Sequence, residues 1–214
     1  MLDLILANHP KENIVVAHFD HSLRGGESDG DRVFIANYCE KRNITFEYEK
    51  MDITVLAQAE KMSIEMAARK YRYIFLEEVA QKYGAKYILT AHHLDDRIET
   101  AMFNLIRGTK LGGIHALQKI NPLSITNHQS PITILRPLLQ LPKSAILEYA
   151  REHQIHYRED STNTDTTYLR NHLRHEVLPL FAQINPEYRR AIEHYIEYTE
   201  ELKSWIDSEV RCFL

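Results

Sequence analysis

Apolar and polar positions follow two different periods along this chain, and the switches between them divide it into elements. Asn13-Ile-Val-Val-Ala-His18 and Ala85-Lys-Tyr-Ile-Leu-Thr-Ala91 are short apolar runs bounded by polar or turn-forming residues, a pattern that predicts two buried strands. Ile44-Thr-Phe-Glu-Tyr48 predicts a shorter third strand, and residues 27–42 have the length and mixture of a helix. The best-defined helix is predicted over residues 63–83. Ser63 stands at its N-cap, Glu65 in its first turn and Gly84 just past its end, with Ile64, Ala67, Ala68, Tyr71, Phe75, Leu76 and Val79 at helical spacing. A second helix is predicted from Asp95 to Arg107, opened by acidic residues that suit its dipole and closed by Gly108. There Ile98, Ala101, Met102 and Leu105 would pack inward.

Residues 110–133 hold prolines, asparagines and a glycine pair and predict a long surface loop; helix returns over residues 141–153, with Pro142 in its first turn. Residues 187–210 form a tyrosine- and glutamate-rich amphipathic helix, read as a packing or linker helix. Apolar strands that alternate with helices imply an α/β fold with a parallel sheet covered by helices, because parallel strands need crossovers.

Composition narrows the class. With 214 residues, 44% hydrophobic and 26% charged, the chain reads as a soluble globular protein and needs no staples. Cys39 and Cys212 are isolated from one another and form no Cys-x-x-Cys pair, which argues against a disulfide framework or a thiolate metal site and fits a reducing cytoplasm. No apolar run approaches the roughly 18 residues of a membrane span, and the N-terminus lacks the features of a signal peptide. A cytoplasmic location without membrane association is expected, and a homodimer is left open. The net charge of −4 means that any nucleic-acid binding must be local.

Candidate chemistry gathers at strand ends. His18 and Asp20 share a face at the carboxyl end of the first strand, where open α/β sheets bind ligands, and Arg24-Gly-Gly follows with a cation and a pliable backbone suited to phosphate. The bland alternative is a solvated turn. Thr90-Ala-His-His-Leu-Asp-Asp-Arg-Ile-Glu-Thr100 follows a predicted strand and opens a helix, so Asp95, Asp96 and Glu99 fall on one side of that helix. Such a cluster suits Mg²⁺ held by Asp95 and Asp96, a dinuclear hydrolase site built from His92, His93, Asp95 and Asp96, or simple dipole compensation and capping. Arg69 and Arg72 share a helix face beside Tyr73. Arg170 and Arg174, with Asn171 and His175 a step round the helix, form a compact basic spot that suits phosphate or a surface ion pair.

Several blocks, in order and spacing, resemble the catalytic domain of the tRNA(Ile)-lysidine synthetase family. They are His18-Phe-Asp-His-Ser-Leu-Arg24, Glu65-Met-Ala-Ala-Arg-Lys-Tyr-Arg-Tyr73, the Thr90–Thr100 block, Arg107-Gly-Thr-Lys-Leu-Gly-Gly-Ile114, Arg136-Pro-Leu-Leu139, Glu159-Asp-Ser-Thr-Asn163 and Tyr168-Leu-Arg-Asn-His-Leu-Arg-His-Glu-Val-Leu-Pro179. The resemblance implies an adenine-nucleotide α-hydrolase-like (Rossmann-like) fold. It also implies ATP and Mg²⁺ as cofactors, and free lysine and an isoleucine tRNA with a cytidine wobble base as partners. The reaction implied is adenylation of the cytidine C2 oxygen by ATP, followed by displacement of AMP by the lysine ε-amine. By resemblance, nucleotide contacts fall to His18, Asp20 and Arg24, and catalytic positioning to His92, Asp95, Asp96 and Glu99. Contacts to tRNA or phosphate fall to Arg69, Arg107, Arg170, Asn171 and Arg174. A catalytic domain over residues 1–185 and a helical linker over residues 186–214 are expected.

One motif of the family is not in the chain. The seven glycines, at positions 25, 26, 30, 84, 108, 112 and 113, form no Ser-Gly-Gly-x-Asp-Ser phosphate loop. Residues 1–6 resemble the helix that follows that loop. The expectation is therefore of a chain that starts just past its PP-loop and stops before the C-terminal tRNA-binding regions, with little turnover of its own. The alternatives are a degenerate tRNA-binding protein and a related PP-loop tRNA-modifying enzyme. Thiolases of the cytidine-modifying type use paired cysteines, so the isolated Cys39 and Cys212 disfavour that last case.

Overall fold

The computed structural model describes residues 1–23, 26–123, 131–158 and 169–213, apart from the side chains of 26, 27, 169, 170, 212 and 213. The chain forms two compact units, Met1–Leu89 with Ile120–Leu135, and Thr90–Lys119 with Arg136–Leu214.

The first unit holds the strands described. After a short helix α1 (Leu2–Leu6), β1 (Val15–Asp20) and β2 (Thr45–Lys50) pair in parallel through the crossover helix α2 (Gly26–Arg42), in a register that sets His18 beside Tyr48 and Asp20 beside Lys50. Both strands run two residues further toward their carboxyl ends than their apolar runs alone predict. This adds Asp20 and Lys50 to the ladder, and with them the polar groups of the strand ends. Next come α3 (Ile53–Ala59), α4 (Ile64–Lys82) and β3 (Tyr87–Leu89). β3 pairs in parallel with β5 (Thr133–Leu135), and β5 pairs antiparallel with β4 (Ile120–Pro122). The described strands thus form two sheets, the parallel pair β1-β2 and the three-stranded β3-β5-β4, rather than one continuous sheet, and the one antiparallel strand, β4, lies inside the stretch expected to be all loop.

α4 lies where its sequence placed it. The Ser63 hydroxyl accepts the Met66 N–H at 3.2 Å, and Gly84 takes φ of 64°, the left-handed geometry of a C′ residue. Its two faces serve two cores. Ala67, Phe75 and Val79 pack with Phe19 of β1 and with Ile53 and Ala57 of α3, while Tyr73 and Ala80 pack with Ile88, Leu123, Ile132 and Ile134. α3 has no counterpart in the sequence reading, although Asp52 is a strong N-cap whose carboxylate accepts the Thr54 and Val55 N–H groups.

The second unit is helical, with α5 (Leu94–Ile106), α6 (Leu111–Ile114), α7 (Lys143–Glu152), α8 (Leu169–His172), a π-helical turn (Leu173–Val177), α9 (Leu178–Ile184) and α10 (Tyr188–Phe213). Leu94 and Ile98 pack with Leu173, Leu178 and Tyr188, and Ala101 packs with Ile114 and Ile196. Leu105 lies on the same helical face but is 48% exposed, because the last turn of α5 runs past the residues that cover Ile98 and Ala101. α6 is a second element within the expected loop. α10 packs along α5 and α6, and Arg97 reaches across to Glu200 at 2.9 Å. No helix among the described residues is long and apolar enough to cross a membrane.

Candidate functional site

Two groups of polar side chains stand out, one in each unit. In the first unit Asp20 closes β1, with its side chain only 1% exposed. Its Oδ1 accepts the Ser22 N–H at 2.8 Å, its Oδ2 accepts the Tyr48 hydroxyl at 3.2 Å, and Lys50 Nζ lies 3.5 Å from Oδ2. Burial alone would raise this carboxyl; the Ser22, Tyr48 and Lys50 contacts outweigh it and hold the group below the usual aspartate value. His18 stacks on the Tyr48 ring with centroids 5.9 Å apart, and the Arg32 guanidinium sits 5.3 Å from the centre of that ring. His18 and Asp20 therefore share one polar face, as strand alternation requires, while Phe19 points into the core. Arg24 lies outside the described residues. Tyr48 and Lys50 complete the group and were not singled out in the sequence; their signal was the parallel pairing of β2 with β1, which no local pattern reveals.

Elsewhere in this unit Arg69 is exposed on α4, 5.0 Å from the centre of the Tyr73 ring. Cys39 is buried in α2, and burial pushes its thiol up, the signature of a packing residue rather than a reactive one.

In the second unit the first turn of α5 is organised by a capping box. His93 Nδ1 accepts the Asp96 N–H at 3.4 Å, and Asp96 Oδ2 accepts the His93 N–H at 3.0 Å. His92 lies just before it, with Nδ1 2.9 Å from Thr90 Oγ1. One turn on, Glu99 is buried and gripped by Arg174, Nε to Oε1 at 2.6 Å and Nη2 to Oε2 at 2.8 Å. Arg174 Nη2 also approaches Asp96 Oδ1 at 3.7 Å, and the bonds to Glu99 raise the guanidinium further above its already high value. Asp95 is engaged at both oxygens: Oδ1 accepts Arg189 Nε at 3.0 Å and Oδ2 accepts the Lys143 N–H at 2.8 Å. Burial works to raise this carboxyl, but Lys143 and Arg189 prevail and hold it low.

His93, Asp95, Glu99, Lys143, Arg174 and Arg189 line a cleft of about 400 Å³ together with Pro142, Ser144 and Leu147. The structure thus brings Asp95, Asp96, Glu99 and Arg174 together, with His92 close by in the chain. Arg174 faces acids rather than an exposed basic spot. Asn171 is half-buried in α8, Arg107 is exposed at the end of α5 and 5.3 Å from the centre of the Phe103 ring, and the Arg170 side chain lies outside the described residues. Lys143, Ser144 and Arg189 are cleft residues that the sequence did not reveal.

As a divalent-metal site this group fits poorly. Asp95 and Glu99 have both oxygens occupied, which leaves one Asp96 oxygen, and the described residues hold no cluster of three or more metal-ligating side chains.

Comparison with known proteins gives the family of the chain. The PP-loop domain family matches residues 1–181. The chain is similar to tRNA(Ile)-lysidine synthase of Thermosipho africanus, with 36% identity over 200 residues covering 94% of this chain and 44% of that protein. It is similar to the protein of the same name from Bacillus subtilis, with 33% identity over 92% of this chain and 40% of that one. For tRNA(Ile)-lysidine synthase of Thermotoga maritima the figures are 35% identity over 95% of this chain and 47% of that one. The chain spans under half the length of these curated relatives. A solved structure, the U34-tRNA thiolase NcsA from Methanococcus maripaludis with its 4Fe-4S cluster, matches with a TM-score of 0.66 and 16% identity over 94% of this chain and 66% of that one. At that identity the likeness is one of fold.

Proposed function

The chain belongs to the PP-loop domain family, and on that premise we propose that it carries the catalytic part of an ATP-dependent ligase that joins free lysine to C2 of the wobble cytidine of an isoleucine tRNA. The observation that carries this reading is identity of 33–36% to proteins named tRNA(Ile)-lysidine synthase over more than nine tenths of the chain.

In the first step the cytidine C2 oxygen attacks the α-phosphorus of ATP and pyrophosphate leaves. In the second, the lysine ε-nitrogen attacks C2, the bond from C2 to the AMP oxygen breaks, and the nitrogen gives up its proton. His18, Asp20 and Arg24 are assigned to the nucleotide. Support comes from Asp20 standing at the carboxyl end of β1, the edge at which open α/β sheets take ligands. Arg69, Arg107, Arg170 and Asn171 are assigned to the tRNA or its phosphates.

The internal pairing of the acids divides the roles among the rest. Glu99 is neutralised by Arg174, and Asp95 by Arg189. Asp96 Oδ1 makes no hydrogen bond among the described residues and lies 3.7 Å from Arg174, so it is the carboxylate oxygen open to the substrate ammonium. We assign Asp96 that contact and His92 the removal of the proton before attack. The carboxylates present do not fit Mg²⁺ as arranged, and no step is routed through a metal.

The test is transfer of labelled lysine to isoleucine tRNA by the chain extended with an N-terminal strand and Ser-Gly-Gly-x-Asp-Ser loop, because the chain without that loop is expected to turn over little. Lysine fixed at the wobble cytidine, with AMP and pyrophosphate formed in equal amounts and a loss of about 100-fold in Asp96→Asn, supports the reading. Modification of the tRNA with sulfur and without lysine overturns it.

A further inference from the structure

The charges lining the second unit's cleft do not balance. Asp95, Glu99, Lys143, Arg174 and Arg189 all line it, and both acids are consumed internally, Glu99 by the Arg174 fork and Asp95 by Arg189 Nε and the Lys143 N–H. What remains is cationic. Lys143 Nζ makes no hydrogen bond or ion pair among the described residues. Arg189 uses Nε alone on Asp95, which leaves its two terminal nitrogens, and Ser144 lines the same cleft.

We propose that Lys143, Ser144 and Arg189 form an oxyanion subsite that receives the α-carboxylate of the amino-acid substrate. The assignment rests on the ligase reading above. A guanidinium with two spare donors, an ammonium and a hydroxyl match the planar, doubly accepting geometry of a carboxylate. The cleft volume of about 400 Å³ lies within the usual span of small-molecule pockets, about 300–1,000 Å³. Asp95 acts through the other residues. It ties the start of α7 to the start of α10 by one carboxylate, so the two cations are presented together, and it is a positioning residue rather than a catalytic one. Asp96, assigned the ammonium above, neighbours Asp95 in the first turn of α5 and approaches the cleft residue Arg174 at 3.7 Å, so an anionic contact lies next to the cationic one for a zwitterionic ligand.

Calorimetric titration of the full chain tests this with three probes: L-lysine, 1,5-diaminopentane, which keeps both amines and lacks the carboxylate, and inorganic phosphate. Lysine is expected to bind roughly tenfold or more tighter than the diamine, the scale of a charge-assisted hydrogen bond. Lys143→Gln should bring lysine down to the affinity of the diamine and leave the diamine unchanged. This variant keeps the Asp95 tie, which uses the Lys143 backbone, so an unaltered melting temperature separates the effect from misfolding. Arg189→Gln should act in the same direction. Equal binding of lysine and the diamine by the unaltered chain overturns the subsite and leaves the ligase reading standing. Phosphate binding that Lys143→Gln abolishes, with neither amine bound, overturns the carboxylate assignment and the lysine reading together. No binding of any probe overturns the subsite.

Discussion

Arg174 holds Glu99 through two parallel bonds, 2.6 and 2.8 Å long, from the π-helical turn after α8 to the second turn of α5, seventy-five residues apart in the chain. The Glu99 side chain is 5% exposed and its partner 29%, so the pair is buried at the acid and wetted at the guanidinium. That asymmetry sets the cost of breaking it. Removing the base strands a buried carboxylate, whereas removing the acid leaves a guanidinium that water can still reach.

Arg174→Gln should therefore destabilise the protein by about 2–3 kcal/mol, less than a fully buried pair because solvent reaches the guanidinium. Glu99→Gln should cost less. Urea midpoints for the two variants check the order; equal losses would show that the burial of Glu99 does not govern the pair.

Asp95 gives a pH dependence with a definite sign. Its folded carboxyl is held below its unfolded value by Lys143 and Arg189, so its contribution is complete above the unfolded value of about 3.9 and fades as pH falls through the lower folded value. The stability gap between the parent chain and Asp95→Asn should be constant from pH 6 to about 5 and shrink steadily below about 4. Thermal melts across that range provide the measurement, and a gap that widens toward acid would contradict the clasp.

Gly113 sits in the short helix α6, where its carbonyl accepts Asn104 Nδ2 at 2.7 Å and an added Cβ would collide with the Thr109 side chain. Gly113→Ala should cost about 1–3 kcal/mol by overpacking. At Gly108, φ is 70° and a Cβ would meet nothing within 4 Å, so Gly108→Ala should cost only about 1 kcal/mol for the backbone conformation. Comparing the two melting temperatures separates collision from conformational strain.

The Asp20 group should separate charge from hydrogen bonding. Tyr48→Phe removes one bond to Asp20 and keeps the Ser22 N–H and Lys50 contacts; stability should fall by about 1 kcal/mol and the carboxyl should titrate at higher pH. Asp20→Asn removes the charge itself, and any ATP binding by the full chain should fall by about tenfold or more. Tyr48→Phe should change ATP binding far less. Equal losses would assign the role to the tyrosine.

Local rules reached the elements whose ends are set by their own residues. Ser63 caps α4 and Gly84 turns the chain away from it, and both act over a few residues, so that helix could be delimited from sequence. Asp52 carries the same kind of signal for α3, and the short apolar stretch after it left it unread. β4 and β5 span three residues each, too short for any periodicity; they exist as strands because β3, β5 and β4 lie side by side.

The sequence by itself determined the alternation of strand and helix, the polar face of β1 that carries His18 and Asp20, and the gathering of Asp95, Asp96 and Glu99 on the first turns of α5. All of these follow from spacing within one element. Only the tertiary structure decided which of those acids is open. Arg174, Arg189 and Lys143 reach α5 from segments some fifty to ninety residues away, and the partners of a carboxylate, more than its position in a helix, fix whether its charge is available to a ligand.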